Sequence, residues 1–158
     1  MANYTAADVK ALREKSGAGM MDCKGALDEA DGNVEKAMEV LRLKGLKGVT
    51  KREGRTTSNG LIVARVSGGT GTLIELACET DFVAKAENFI ALADAVADAV
   101  VAAGATDVES ALAAKHGNAT VADAITDQAA ILGEKVELRK VATVSASGVD
   151  AYLHRTSR

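Results

Sequence analysis

The chain has 158 residues, with no proline, no tryptophan and four aromatic residues, and its formal net charge at pH 7 is −3. With 47% apolar and 26% charged residues it is not a disordered chain, and the lack of proline excludes proline-rich ligand motifs. Because no apolar run approaches the roughly 20 residues that span a bilayer, and the N-terminus lacks the regions of a signal peptide, we expect a globular, cytoplasmic protein without membrane contact.

The first part of the chain predicts three short helices. Thr5 begins a capping box for the first helix, Asp22 is placed to cap the second, and Asn33 is placed to cap the third. Apolar residues in the third helix recur at i, i+3, i+4 and i+7, which indicates one buried face. Residues 1–47 are therefore predicted to form a three-helix module.

A basic segment follows these helices. Residues 42–55 carry six lysines and arginines against one glutamate, whereas residues 86–134 carry eight acidic groups against one lysine. The acidic stretch excludes a nucleic-acid surface in the middle of the chain, and the basic stretch has no aromatic residues on which bases could stack. We interpret residues 48–58 as a solvated basic linker and expect no nucleic-acid partner, with RNA contact as the alternative.

The next part of the chain changes from strands to helices. Residues 61–66 and 72–78 are β-rich runs on either side of a glycine-rich turn, which is typical of a hairpin. The turn is not followed by a helix or by Gly-Lys-Ser/Thr, so we do not expect a phosphate loop. Apolar residues then keep a helical period over residues 82–101, which predicts the longest helix. Residues 106–114 and 120–132 predict two shorter ones.

Strand propensity returns near the C-terminus. Residues 136–144 and 151–154 are β-rich and flank a Ser-Gly turn, so they predict a second hairpin that echoes the first. We therefore predict an α+β fold with one core subdomain at residues 59–135. Residues 136–158 are then the start of a second, related core subdomain that is cut short.

No arrangement of residues for catalysis is visible. His116 and His154 have no nucleophile or carboxylate pair beside them in the sequence. Cys23 and Cys78 lie 55 positions apart without a Cys-x-x-Cys pattern, so we interpret them as reduced structural thiols. We expect no catalytic residue, no metal and no cofactor, and binding becomes the leading class of function.

Two segments carry a specific resemblance to a known family. Residues 12–27 read LREKSGAGMMDCKGAL, and residues 75–85 read ELACETDFVAK. In this order they resemble the two signatures of the elongation factor Ts family, the guanine-nucleotide exchange factors of elongation factor Tu. Gly25 stands where a basic residue is usual, and Ala77 stands where asparagine is usual. Family members continue through a second core half, so the resemblance also implies a chain truncated after Arg158.

The resemblance implies a contact that promotes GDP release. In the family, the Asp-Phe pair of the second signature enters the GTPase domain near its Mg²⁺ site. We carry this role to the segment of residues 80–83, which consists of Thr80, Asp81, Phe82 and Val83, and call it the wedge. Thr80 and Asp81 are both placed to cap the helix that follows. Helical periodicity alone instead assigns Phe82 to the core.

The resemblance also implies contacts outside the wedge. The family docks its N-terminal module, which is similar to a ubiquitin-associated (UBA) domain, on a helix of the GTPase, and here Arg13, Met20 and Met21 are the matching residues. The alternative is that one methionine folds back over the three-helix core. Further matches predict secondary contacts near the wedge, at Leu132, Gly133 and His154.

Two other classes of function remain as alternatives. The first is a non-catalytic helical adaptor or RNA-binding accessory protein, which would use the three-helix module or residues 42–55. The second is a nucleotide-binding enzyme, which the missing phosphate loop makes weak. We expect elongation factor Tu as the partner and no direct binding of nucleotide.

Overall fold

The computed structural model describes residues 3–154 and has helices together with antiparallel sheets. The predicted α+β class is therefore confirmed. The chain divides into two compact units. The first, which we call the helical unit, runs up to Gly54 and includes Ala129–Glu134. The second, the sheet unit, comprises Arg55–Gln128 and the residues from Lys135 onwards.

The helical unit begins with three helices. They are α1 Ala6–Ser16, α2 Met20–Glu29 and α3 Val34–Arg52. As predicted, Thr5 caps α1 in a capping box, in which its hydroxyl accepts the Asp8 N–H and its own N–H donates to the Asp8 carboxylate. The Asn33 side chain caps α3, also as predicted. The likeness of these helices to a ubiquitin-associated domain stays a prediction.

Two boundaries in the helical unit differ from the predicted ones. Helix α2 begins at Met20 with Gly19 as its N-cap, so Asp22 lies in the first turn and does not cap the helix. A carboxylate there is still stabilised by the helix dipole. Helix α3 does not end near residue 47 but continues to Arg52, so residues 48–52 of the predicted linker are helical.

Tertiary contacts within the helical unit stabilise the longer α3. Gly45 lies against Ala130, since a Cβ at Gly45 would be 2.7 Å from the Ala130 Cβ. Near the end of the helix, Arg52 Nη1 donates to the Ala129 carbonyl at 3.4 Å. Glycine weakens an isolated helix, but here it lets α3 pack closely against Ala130. The local sequence of α3 does not indicate this contact.

A small apolar core holds the three helices together. Leu12 and Leu27 are fully buried, and burial of each contributes roughly 1.5–3 kcal/mol. Half-buried side chains such as Tyr4 and Met38 pack against this core. Its buried members are Val9, Leu12, Cys23, Ala26, Leu27, Ala30 and Ala37.

The sheet unit is built on a three-stranded antiparallel sheet. Its strands are β1 Asn59–Ser67, β2 Thr70–Cys78 and β5 Val136–Ser145, in the order β1-β2-β5. The predicted first hairpin is confirmed, and its two turn residues, Gly68 and Gly69, have φ angles of 55° and 79°. Positive φ at both positions is what a tight turn between twisted strands requires.

The predicted second hairpin is wrong. Strand β5 pairs with β2, from Thr70 opposite Ser145 to Cys78 opposite Val136, and residues 151–154 are not a strand. This pairing gives β2 hydrogen-bonded neighbours on both sides and makes it the central strand, in which Ile74 is buried. Residues 135–145 therefore lie in the same compact unit as the first hairpin.

The helices of the sheet unit also differ from the predicted pattern. They are α4 Asp81–Ala84, α5 Glu87–Ala103, α6 Val108–Ala113 and α7 Val121–Leu132, of which α7 ends in the helical unit. The single helix predicted over residues 82–101 is in fact two, because Ala86 adopts extended backbone angles between α4 and α5. The longest helix is α3, with 19 residues against 17 in α5. A short two-stranded ribbon, β3 Lys115–His116 and β4 Ala119–Thr120, lies between α6 and α7, where the sequence predicted no strand.

The two faces of the main sheet differ. Helix α5 contacts β1 and β2, and its fully buried Phe89 and Val96 belong to the core. By the strand register, Ile62, Leu73 and Val144 share one face, and all three are exposed. The sheet therefore has an exposed apolar face. In the described part of the chain, no helix is long and apolar enough to cross a membrane.

Candidate partner-binding site

The wedge lies at a sharp change from strand to helix. Strand β2 ends at Cys78, and α4 begins at Asp81. Thr80 has extended backbone angles, and its hydroxyl accepts a hydrogen bond from the Val83 N–H at 3.4 Å. Thr80 is therefore the N-cap of α4, whereas the sequence had left Thr80 and Asp81 both open as the cap.

Phe82 is exposed. Its residue surface is 82% accessible, whereas Phe89 in α5 is fully buried. The assignment of Phe82 to the core, which periodicity alone favoured, is wrong because the chain leaves the helical path at Ala86. Phe82 therefore lies on a different helix from the apolar stripe of α5. An exposed aromatic ring on a short, capped helix is a large apolar surface open to a partner.

Asp81 lies beside this ring and has a cationic neighbour. Its Oδ2 atom is 2.8 Å from Lys85 Nζ, one helical turn later. The hydrogen bond from Lys85 lowers the pKa of the Asp81 carboxyl below its usual value. Asp81 is therefore ionised at neutral pH, next to an exposed apolar side chain.

A groove of about 470 Å³ adjoins the wedge within the sheet unit. Asp81 and Lys85 line this groove together with residues of the edge strand β1. Leu153 also lines the groove, and the predicted contact residue His154 follows it directly. His154 is exposed, and its Nδ1 atom lies 2.9 Å from the Tyr152 hydroxyl.

Helix α5 is fastened to the edge strand beside this groove. Arg65 of β1 donates from Nη2 to Asp94 Oδ1 at 2.8 Å and from Nε to Asp98 Oδ1 at 2.7 Å. The hydrogen bond to Asp94, followed by the one to Asp98, raises the pKa of Arg65. The guanidinium therefore bridges two carboxylates one turn apart, which fixes α5 against β1.

The predicted contact residues of the helical unit lie where α1 gives way to α2. Met20 and Met21 begin α2 and are 55% and 76% exposed, so the alternative in which one of them covers the core is wrong. Arg13 is exposed near the end of α1, and its carbonyl accepts the N–H of the C-cap residue Gly17. Two adjacent exposed thioethers form an adaptable apolar surface.

The predicted site residues are divided between the two units. Leu132 is the last residue of α7, and Gly133 follows it with a φ of 74° and donates its N–H to the Ala129 carbonyl at 3.1 Å. Both belong to the helical unit, whereas the wedge and His154 belong to the sheet unit.

The sequence did not single out three residues around the wedge, which are Lys85, Glu79 and Arg65. The i, i+4 spacing of Asp81 and Lys85 could have predicted their ion pair. Glu79 stands within the second signature, but nothing in the sequence indicated its long-range partners. Arg65 could not have been found, because its two carboxylates are about 30 positions away along the chain.

Carboxylates and thiols are the groups near the wedge that could carry metal or redox chemistry. Among residues 3–154, no group of three or more His, Cys, Asp or Glu side chains is arranged to hold a metal ion. Both cysteines are buried, and Cys78 Sγ donates to the Thr80 carbonyl at 3.2 Å within the turn that leads to the wedge. The arrangement exposes an apolar ring and a carboxylate beside a groove.

The sequence of this chain is similar to those of known proteins over its whole length. Residues 79–158 match a family model described as elongation factor TS. The whole chain is 61% identical to the elongation factor Ts of Micrococcus luteus, 57% identical to that of Paenarthrobacter aurescens and 61% identical to that of Clavibacter michiganensis subsp. michiganensis. It spans 57%, 57% and 58% of their respective lengths. The family match begins at Glu79 and includes the wedge.

Proposed function

Because the chain belongs to the elongation factor Ts family, we propose that it acts in translation elongation as a guanine-nucleotide exchange factor. It binds elongation factor Tu in its GDP form and promotes release of GDP, and it is not an enzyme. The observation that carries the proposal is the exposed Phe82 beside an ionised Asp81, at the start of a capped helix. As a translation factor, the protein acts in the cytoplasm.

The wedge acts by insertion. A GTPase holds GDP through phosphate-loop amides and Mg²⁺, which together neutralise the phosphate charge. Phe82 enters the GTPase domain near that metal, while Asp81 offers a competing negative charge. Thr80 and Val83 hold the turn that carries them. Insertion favours the open form of the nucleotide site, so affinity for GDP and Mg²⁺ falls.

The helical unit supplies binding energy. Met20 and Met21 place two flexible apolar side chains on one surface, and Arg13 adds a cation from the neighbouring helix. We assign to them the docking role of the family's N-terminal module, which we propose is similar to a ubiquitin-associated domain. Leu132, Gly133 and His154 make secondary contacts with the partner.

Thermodynamic linkage makes nucleotide exchange reversible, and no covalent bond has to form or break. If the exchange factor lowers the affinity of the GTPase for nucleotide, nucleotide lowers the affinity of the GTPase for the factor by the same ratio. Incoming GTP therefore dissolves the complex. The factor needs no nucleotide site of its own, and it needs neither a membrane nor a nucleic acid as partner.

The proposal is tested by release of a fluorescent GDP analogue from elongation factor Tu, measured by stopped flow with and without this chain. We expect a saturable acceleration, and excess GDP should disperse the complex on a sizing column. If a saturating concentration of this chain left the rate of GDP release unchanged, that result would contradict the exchange function. If a pull-down then recovered RNA in a salt-sensitive manner, the adaptor or RNA-binding alternative would replace it.

A further inference from the structure

The turn before the wedge contains a carboxylate that is mostly removed from water. Glu79 lies between the last residue of β2 and Thr80, the N-cap of α4. Only 19% of its side-chain surface is exposed. A carboxylate in such a position is stable only with hydrogen-bond or charge partners.

Two distant chain segments supply those partners within the sheet unit. Glu79 Oε1 accepts the backbone N–H of Lys135 at 2.6 Å, and its Oε2 lies 3.3 Å from Arg55 Nη1. Lys135 precedes β5, and its Nζ atom in turn donates to the Arg55 carbonyl at 3.2 Å. One carboxylate therefore joins the entrance of β5, the segment before β1 and the end of β2.

The main chain of the same residue is held as well. The Glu79 carbonyl accepts from Asn59 Nδ2 at 2.9 Å and from Ser58 Oγ at 3.5 Å. Glu79 is thus fixed through both its side chain and its backbone. The wedge begins at the next residue, Thr80, and the side chains of its Asp81 and Phe82 are exposed.

We propose that Glu79 is a positioning residue for the wedge and that the Lys135 N–H is its decisive partner. The inference rests on the proposed exchange function. Insertion of an exposed ring is effective only if the ring is already oriented, since ordering a mobile turn on binding costs entropy at the moment of insertion. Phe82 lies in a helix of only four residues, so its direction depends on how the turn at Glu79 is held as well as on the packing of this short helix against β1 and β2.

Three substitutions separate the contributions of the two partners. Glu79→Ala removes the carboxylate and therefore both contacts. Glu79→Gln keeps an oxygen that can accept the Lys135 N–H but loses the charge that faces Arg55. Arg55→Ala removes only the cation, which is more than half exposed and therefore of little weight. None of the three changes a wedge side chain.

The first readout is GDP release from elongation factor Tu over a range of factor concentrations. For Glu79→Ala we expect the maximal rate to fall at least five-fold while the half-saturating concentration stays within two-fold. Glu79→Gln should restore most of that rate, and Arg55→Ala should change it less than two-fold. A full maximal rate for Glu79→Ala, or a Gln variant as defective as the Ala variant, would overturn the assignment.

The second readout is the backbone order parameters of the chain alone, measured by ¹⁵N relaxation. In Glu79→Ala we expect them to fall at residues 80–84 and to stay unchanged in α5, and Glu79→Gln should restore them. A uniform fall through the sheet unit, or no fall at residues 80–84, would contradict the positioning role. If the unaltered chain fails to release GDP, the proposed function is wrong, and the order parameters alone decide the role of Glu79.

Discussion

Lys85 Nζ lies 2.8 Å from Asp81 Oδ2, so the carboxylate of the wedge is already paired within its own helix. Both side chains are more than half exposed, and an exposed ion pair of this kind is weak and screened by salt. Asp81 can therefore exchange Lys85 for a cationic group of a partner.

The two phenylalanines should respond differently to truncation. Phe82→Ala removes an exposed ring and should leave the free energy of unfolding within about 0.5 kcal/mol of the original. Phe89→Ala removes a fully buried ring and should cost about 3–5 kcal/mol, because it leaves a cavity in the core. Urea unfolding followed by circular dichroism measures both. A large loss for Phe82→Ala would mean that the ring packs on the fold.

The two methionines at the start of α2 should affect affinity. In the double variant Met20→Ala and Met21→Ala, we expect the half-saturating concentration for GDP release to rise about ten-fold at an unchanged maximal rate. Leu43→Ala is the matched control, since it removes an exposed apolar side chain from α3 of the same unit. Equal effects of the methionine variant and the control would contradict a docking role for Met20 and Met21.

The hairpin turn should tolerate no side chain at its second glycine. Gly69 has a φ of 79°, and a Cβ there would lie 2.6 Å from the Ala146 carbonyl oxygen. Gly69→Ala should therefore destabilise the fold by roughly 1–3 kcal/mol in urea unfolding. Gly148→Ala serves as the control, because no atom lies within 4 Å of its added Cβ and its φ is not positive. Similar stabilities of the two variants would refute the steric argument.

The acid stability of the sheet unit should depend on Glu137. The Thr57 hydroxyl, with further help from Lys135 and Arg139, lowers the pKa of this carboxyl in the folded protein. Its contribution to the free energy of unfolding is therefore complete above the unfolded pKa, about 4.3, and is lost as the pH falls through the lower folded pKa. Urea midpoints between pH 7 and pH 2.5 should decline less steeply in Glu137→Gln than in the unaltered chain.

A control for that measurement is Glu39→Gln, which removes the same charge from an exposed position in the interior of α3, away from the helix ends. We expect its midpoints to follow those of the unaltered chain over the whole range. As the pH falls, the Glu137→Gln midpoint should also converge towards that of the unaltered chain, since Glu137 becomes protonated in both the folded and the unfolded state. A constant difference across all pH values would mean that the substitution acts through packing and not through charge.

Local signals in the sequence predicted local structure well. The capping residues Thr5 and Asn33 and the glycine hairpin were all readable, because each depends on neighbours within a few positions. The break between α4 and α5 could not be predicted from the sequence. Apolar residues continue with a helical period on both sides of Ala86, so the pattern hides the point at which the backbone becomes extended.

Long-range pairing explains the remaining differences. Nothing near residue 136 indicates that β5 pairs with β2, more than 50 positions away, and not with the segment that follows it. The extension of α3 depends likewise on the contact of Gly45 with Ala130. The wedge itself was predicted from a family signature, and its exposed ring could not have been derived from periodicity.

The most direct test of the account is the maximal rate of GDP release from elongation factor Tu at saturating factor, compared between the unaltered chain and the double variant Asp81→Ala and Phe82→Ala. Both side chains are exposed, so the variant should fold normally and still bind the GTPase through its helical unit. We predict a fall in the maximal rate of at least ten-fold with the complex still formed. An undiminished rate in the double variant would contradict the wedge.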